Sequence, residues 1–131
     1  MTDRRRALTT LFTGVVVAAA LGCGGEAGGD DATVAAWRKA GLEVSAMTET
    51  PAAPYGASAC KAGTVSGVDV VLCSFPTDAA AKAAEEAGLG VVGQATGAAL
   101  AAGSRLLVVA DRRKADPTGR TIDAVTRAFR K

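Results

Sequence analysis

The sequence predicts an α+β fold: a single antiparallel sheet of about five strands, two or three helices covering one face, and one disulfide. Three observations lead there. Short apolar or alternating runs, bounded by Gly, Pro and Ser, recur from Leu42 to Asp111 and read as strands. Alanine-rich or 3.6-periodic stretches between cap and stop residues read as helices. Two cysteines, Cys60 and Cys73, flank a segment whose centre has turn chemistry.

The elements follow in order. Asp30 or Asp31 can cap a first helix that runs to about Ala40, with Val34 and Trp37 on one face and Gly41 ending it. "LEVSAMTET" (42–50) alternates and reads as a strand, and "PAAPY" as a loop. In "CKAGTVSGVDVVLC", a two-residue turn at Ser66-Gly67 sets Val65 opposite Val68, and carrying that register outward sets Cys60 opposite Cys73. Alternation from the turn makes them a non-hydrogen-bonded pair, with Cα atoms about 4.5 Å apart, at the short end of the disulfide range. Redox-active pairs usually sit close in sequence, so this bridge reads as structural. "PTDAAAKAAEEAG" reads as a helix capped by Asp78 and stopped by Gly88. "VVGQATGAAL" and "SRLLVVAD" read as two strands that turn at Ala102-Gly103-Ser104. A last helix opens at Asp116-Pro117 and runs to Phe129, lined by Ile122, Val125 and Phe129. Residues 58–88 and 95–130 thus share the order hairpin then helix, which suggests a ββα-ββα repeat.

The first residues concern address. Arg4, Arg5 and Arg6 precede an apolar run, Ala7 to Leu21, that is shorter than the ~20 residues a spanning helix needs. Charge, short apolar core and small residues make a secretory signal pattern. The stretch ending Leu21-Gly22-Cys23 resembles the lipobox of bacterial lipoproteins, in which the cysteine is lipidated and becomes N-terminal. It departs from that pattern in having Ala20 where the family prefers Leu. Arg5-Arg6 also resembles a twin-arginine export signal. The lipobox resemblance covers residues 1–23 and implies a signal peptide over 1–22, a lipid such as palmitate on Cys23, and a chain anchored to the cell envelope rather than spanning the membrane. "GGEAGGDDA" then reads as a flexible tether, giving a division into 1–22, a tether over 23–32 and a domain over 33–131. An Asp after the cysteine would resemble the inner-membrane retention signal of some lipoproteins. Gly24 stands there, so the expected place is the outer membrane, facing the periplasm. Export puts Cys60 and Cys73 in an oxidising compartment.

Composition narrows the function. Without the leader, 109 residues remain, enough for one domain with a modest core. The chain has no histidine, which removes the commonest general base and metal ligand, and only five aromatic residues. From Cys23 to Ser104 there are 4 basic and 9 acidic residues; from Arg105 to Lys131 there are 8 basic and 3 acidic. Arg112, Arg113, Lys114, Arg120 and Arg127 could therefore meet an anionic surface, though a polar turn and a solvated, positively charged helix end are the preferred reading. Nucleic acid is not an expected partner, since only Phe129 among the aromatics lies near this cluster.

Three motifs imitate chemistry. Gly88, Gly90 and Gly93 match G-x-G-x-x-G, but a helix precedes them where a dinucleotide site needs a strand. Ser58 and Lys61 match S-x-x-K, which resembles the nucleophile motif of penicillin-binding proteins, yet its partner motifs are absent and strand geometry points the two residues to opposite faces. Asp111, Asp116 and Asp123 could gather around Ca²⁺ but lack EF-hand spacing. No catalytic residue, cofactor or metal is therefore expected. The expected function is a non-catalytic envelope lipoprotein serving as a structural or binding module for an envelope protein. The alternatives are a carrier of a small apolar ligand and an inhibitor of a secreted hydrolase. A cavity lined by Trp37, Tyr55 or Phe75 would favour the carrier.

Overall fold

The computed structural model describes residues 25–131, with side chains from Asp30 onward; the expected signal peptide over 1–22 and the expected lipidation site Cys23 lie outside the described residues. Helix α1 spans Gly25–Lys39. Strand β1 (Thr48–Thr50) and a 3-10 turn (Ala53–Tyr55) lead to the hairpin of β2 (Ala59–Val65) and β3 (Val68–Ser74). Helices α2 (Asp78–Ala83) and α3 (Glu85–Val92) are two pieces of one arm broken at Ala84. The hairpin of β4 (Thr96–Ala102) and β5 (Arg105–Asp111) and helix α4 (Arg120–Arg130) complete the chain. The five strands form one antiparallel sheet in the order β1-β2-β3-β5-β4.

The first hairpin has the expected register, with Val65 opposite Val68 and Cys60 opposite Cys73. Ser66 (φ 49°) and Gly67 (φ 88°) both take positive φ, as a type I′ turn requires. The cysteines are bonded to each other, their Cα atoms 4.1 Å apart, as the narrow pairing predicts. In the second hairpin Ala102 pairs with Arg105, so the turn is two residues, Gly103-Ser104, rather than three.

The helices do not lie on one face; that expectation is corrected. Trp37 of α1 and Val125 and Phe129 of α4 pack with Val70, Leu72, Leu107 and Val109 on one side of the sheet. Ala81, Ala84 and Val92 of α2 and α3 pack with Cys73, Leu106, Val108 and Ala110 on the other. The physical reason lies in β5, whose residues Leu106 to Ala110 are all buried. A strand apolar at every position needs cover on both faces. The same division limits the suspected repeat. A two-fold relating the antiparallel neighbours β3 and β5 runs normal to the sheet and would leave both helices on one face. The two units share element order and not symmetry.

Several boundaries move, each for a local reason. The tether expected over 23–32 is replaced from Gly25 by α1, because Asp30 and Thr33 have a distant partner in Arg105. Gly41 (φ 87°) ends α1 as expected, with the Leu42 N–H donating to the Trp37 carbonyl. The strand expected over 42–50 shrinks to β1 and a bridge of Val44 to Val65, because the Ser45 hydroxyl accepts the Thr64 N–H (2.9 Å). Thr77, not Asp78, caps α2, accepting the Ala80 N–H at 3.0 Å. Gly88 does not stop the arm. It is buried inside α3, where an added Cβ would lie 2.8 Å from that of Ala99, so its bareness seats the helix on the sheet. Gly93 (φ 61°) ends α3, so 91–93 are helix and cap instead of strand. Helix α4 starts at Arg120, after Pro117, yet Asp116 still serves it, accepting from the N–H groups of Thr121 (3.0 Å) and Ile122 (2.8 Å).

Candidate functional site

The described residues with the most unusual electrostatics gather where α1, β5 and α4 meet. Arg105, first residue of β5, is followed by an apolar strand and cannot swing freely into water. Its guanidinium donates to Thr33 Oγ1, lies 4.9 Å from the centre of the Phe129 ring, and has Nε 3.6 Å from Asp30 Oδ1. That last separation is an ion pair rather than a hydrogen bond, and among the described residues neither Asp30 Oδ1 nor Arg105 Nε has a hydrogen-bond partner. Burial pushes the Asp30 carboxyl above its ordinary value, with Arg105 and Lys61 opposing; burial likewise pulls Arg105 down, with Asp30 opposing. No local motif marks this cluster, since its members are as many as 99 positions apart. The only hint was one arginine at the head of an otherwise apolar strand.

Beside it a groove of about 340 Å³ runs between α1 and the sheet. Asp30, Asp31 and Arg38 of α1 and Lys61 of β2 give it charges of both signs, while Val34, Met47 and Leu72 give it apolar surface. With charges of both signs around it, the groove has no preference for a ligand of one sign.

The sequence-derived basic residues divide among separate places. Arg112 donates to the Val91 carbonyl (2.6 Å) and, with Lys114, lines an open groove beside Thr96 and Thr118. Arg113, in the loop after β5, pairs with Asp69 of β3 (2.8 Å). Arg120 is exposed at the start of α4. Arg127 pairs with Asp123 and lines a different groove, between α1 and α4, with Lys39 and Lys131. The structure thus brings Arg112 and Lys114 together and leaves Arg127 elsewhere.

The chemical look-alikes resolve in structural terms. Lys61 lines the α1 groove while Cys60 is buried on the opposite face, and Ser58 is in the exposed loop before β2. Asp111 accepts from the N–H groups of Ala115 (2.8 Å) and Asp116 (2.9 Å), so both buried aspartates tie down backbone. Among the described residues no three His, Cys, Asp or Glu side chains gather closely enough to hold a metal, and no helix is long and apolar enough to cross a membrane. Trp37, Tyr55 and Phe75 are all buried in the core and line none of these grooves.

Comparison of the chain with protein-family models, with curated proteins and with solved structures finds no match of any of the three kinds.

Proposed function

We infer that this chain is a non-catalytic lipoprotein of the cell envelope, anchored through Cys23 and acting as a binding module for an envelope protein at its outer surface. The observation that carries the binding-module part is the state of the two interlayer spaces. Apart from the mixed-charge groove of about 340 Å³ between α1 and the sheet, both are packed with the chain's own side chains. The aromatic residues that would best line a carrier's cavity are internal: Trp37 is fully buried and spends its indole N–H on the Val125 carbonyl, 3.0 Å away. An interior with no aromatic-lined cavity among the described residues leaves the outer surface for binding. The anchoring part rests on the lipobox-like residues 20–23, and the disulfide fits an oxidising compartment.

Mass spectrometry of protein purified from its host tests the anchor. The expected product begins at Cys23 and carries an acyl mass; an unmodified Cys23 in an uncleaved chain would overturn the envelope reading. A native mass spectrum of the same material tests the module reading. A stoichiometric small apolar molecule retained by the protein would replace it with the carrier.

A further inference from the structure

The two edges of the sheet are built differently. Edge strand β1 is three residues long and carries Glu49, both features that discourage pairing with another chain. Edge strand β4 has seven residues, Thr96 to Ala102, with no charge, no proline and only one side chain larger than threonine.

The register shows what β4 offers. Ala102 and Arg105 close the two-residue turn as a hydrogen-bonded pair, and hydrogen-bonded and non-hydrogen-bonded pairs alternate from there. Ala98, Leu100 and Ala102 therefore spend their backbone groups on β5, whereas Gly97, Ala99 and Ala101 point theirs away from the sheet. The Ala101 N–H is taken by Glu85 Oε2 at 2.8 Å. Among the described residues nothing meets the outward groups of Gly97 and Ala99.

A second observation falls in the same place. Leu89 (52% exposed) and Val91 (36%) are the exposed large apolar side chains among the described residues, and both belong to α3, which packs on β4 and β5. Leu89 follows Glu85 by one turn, so it stands on the flank from which Glu85 reaches the outer edge of β4.

We propose that β4 is the docking edge for a second copy of this chain, the two β4 strands pairing antiparallel about Ala98 so that the five-stranded sheets become one continuous sheet. The free groups are self-complementary. Gly97 of one copy faces Ala99 of the other, and the reverse, which uses each outward N–H and C=O of these residues. Glu85 keeps the Ala101 N–H and so disfavours registers that would need it. The relating two-fold is normal to the sheet and places both α3 helices on one face. With α3 over β4 and β5, the helices stand about two strand spacings, or roughly 10 Å, apart, within packing reach. Leu89 then meets its own image across the junction, and an uncharged strand meets itself without repulsion.

Cysteine cross-linking of the full-length chain tests this. Alanine 98 faces its own counterpart as a non-hydrogen-bonded pair, a spacing that a disulfide can close, whereas Thr96 would face Leu100 and lie too far from its counterpart. With mild oxidant, A98C is expected to give a covalent dimer at least about tenfold more abundant than T96C gives, with the unsubstituted chain reporting any cross-link through Cys23. Adding Ala99→Pro, which removes an outward N–H that the monomer does not use, or Leu89→Asp on the exposed flank, should abolish most of that dimer. A cooperative urea transition with an unchanged slope shows in each variant that the domain remains folded. Equal cross-linking at 96 and 98, a folded A98C chain that stays monomeric, or capture of a protein of different mass would each overturn the proposal.

Discussion

Glu85 is partly exposed, and its carboxyl lies below the ordinary carboxylate range, first because it accepts the Ala101 N–H and second because Lys82 sits 3.1 Å away. A depressed carboxyl stabilises the fold above its unfolded value, near 4.5, and that contribution is lost as pH falls through the lower folded value. Glu85→Gln is therefore expected to flatten the loss of stability on acidification below about pH 4.5, read from urea midpoints across that range. Asp30 works with the opposite sign. Burial raises its value above 3.8, so its contribution is present in acid and fades as pH rises through the raised value. Arg105→Met should cost about 2–3 kcal/mol in urea unfolding, less than a fully buried pair because both partners keep some solvent, and Asp30→Leu in the same chain should recover much of it. A double variant no better than Arg105→Met alone would mean that Arg105 acts through Phe129 packing instead.

At the scale of elements, turn chemistry and register carried furthest. The Ser66-Gly67 turn alone determines that Cys60 meets Cys73, and the structure has that pair. Replacing both with serine should cost about 3 kcal/mol, measured as a fall in the urea midpoint with little change in slope. Other ends were misread where a residue suits two jobs. Gly88 has the chemistry of a helix stop, but its missing Cβ is used for close packing against Ala99 and Val108, and the stop falls at Gly93. Asp116 was legible as a helix-opening residue, although it caps across Pro117 to Gly119 rather than from the adjoining position. The Asp30–Thr33–Arg105–Phe129 cluster left only one trace in the sequence, an arginine at the head of an apolar strand, since it depends on three elements meeting.

For the whole molecule the deciding feature is cover on both sides of the sheet. Helix α1 is held chiefly against α4, and the bond from Trp37 Nε1 to the Val125 carbonyl (3.0 Å) is the polar fastening within that contact. Trp37→Phe removes the donor and leaves a void, while the Val125 carbonyl keeps its place in the α4 ladder, so a loss of about 2–3 kcal/mol is expected from thermal or urea unfolding. The same variant should increase amide exchange in α1 before exchange in β3 and β5, since the opposite layer does not depend on Trp37.

The amino-acid sequence by itself determined the α+β class, the strand-rich middle, the hairpin and its disulfide, because turn preferences and alternation act between near neighbours. Only the tertiary structure decided how the helices divide between the two faces, that α1 reaches back to Gly25, that Arg105 finds a carboxylate far along the chain, and that β4 ends the sheet with unused hydrogen-bonding groups. Those outcomes depend on which surfaces meet in space, and a face of a sheet or an edge of a strand has no neighbour until the whole chain has packed.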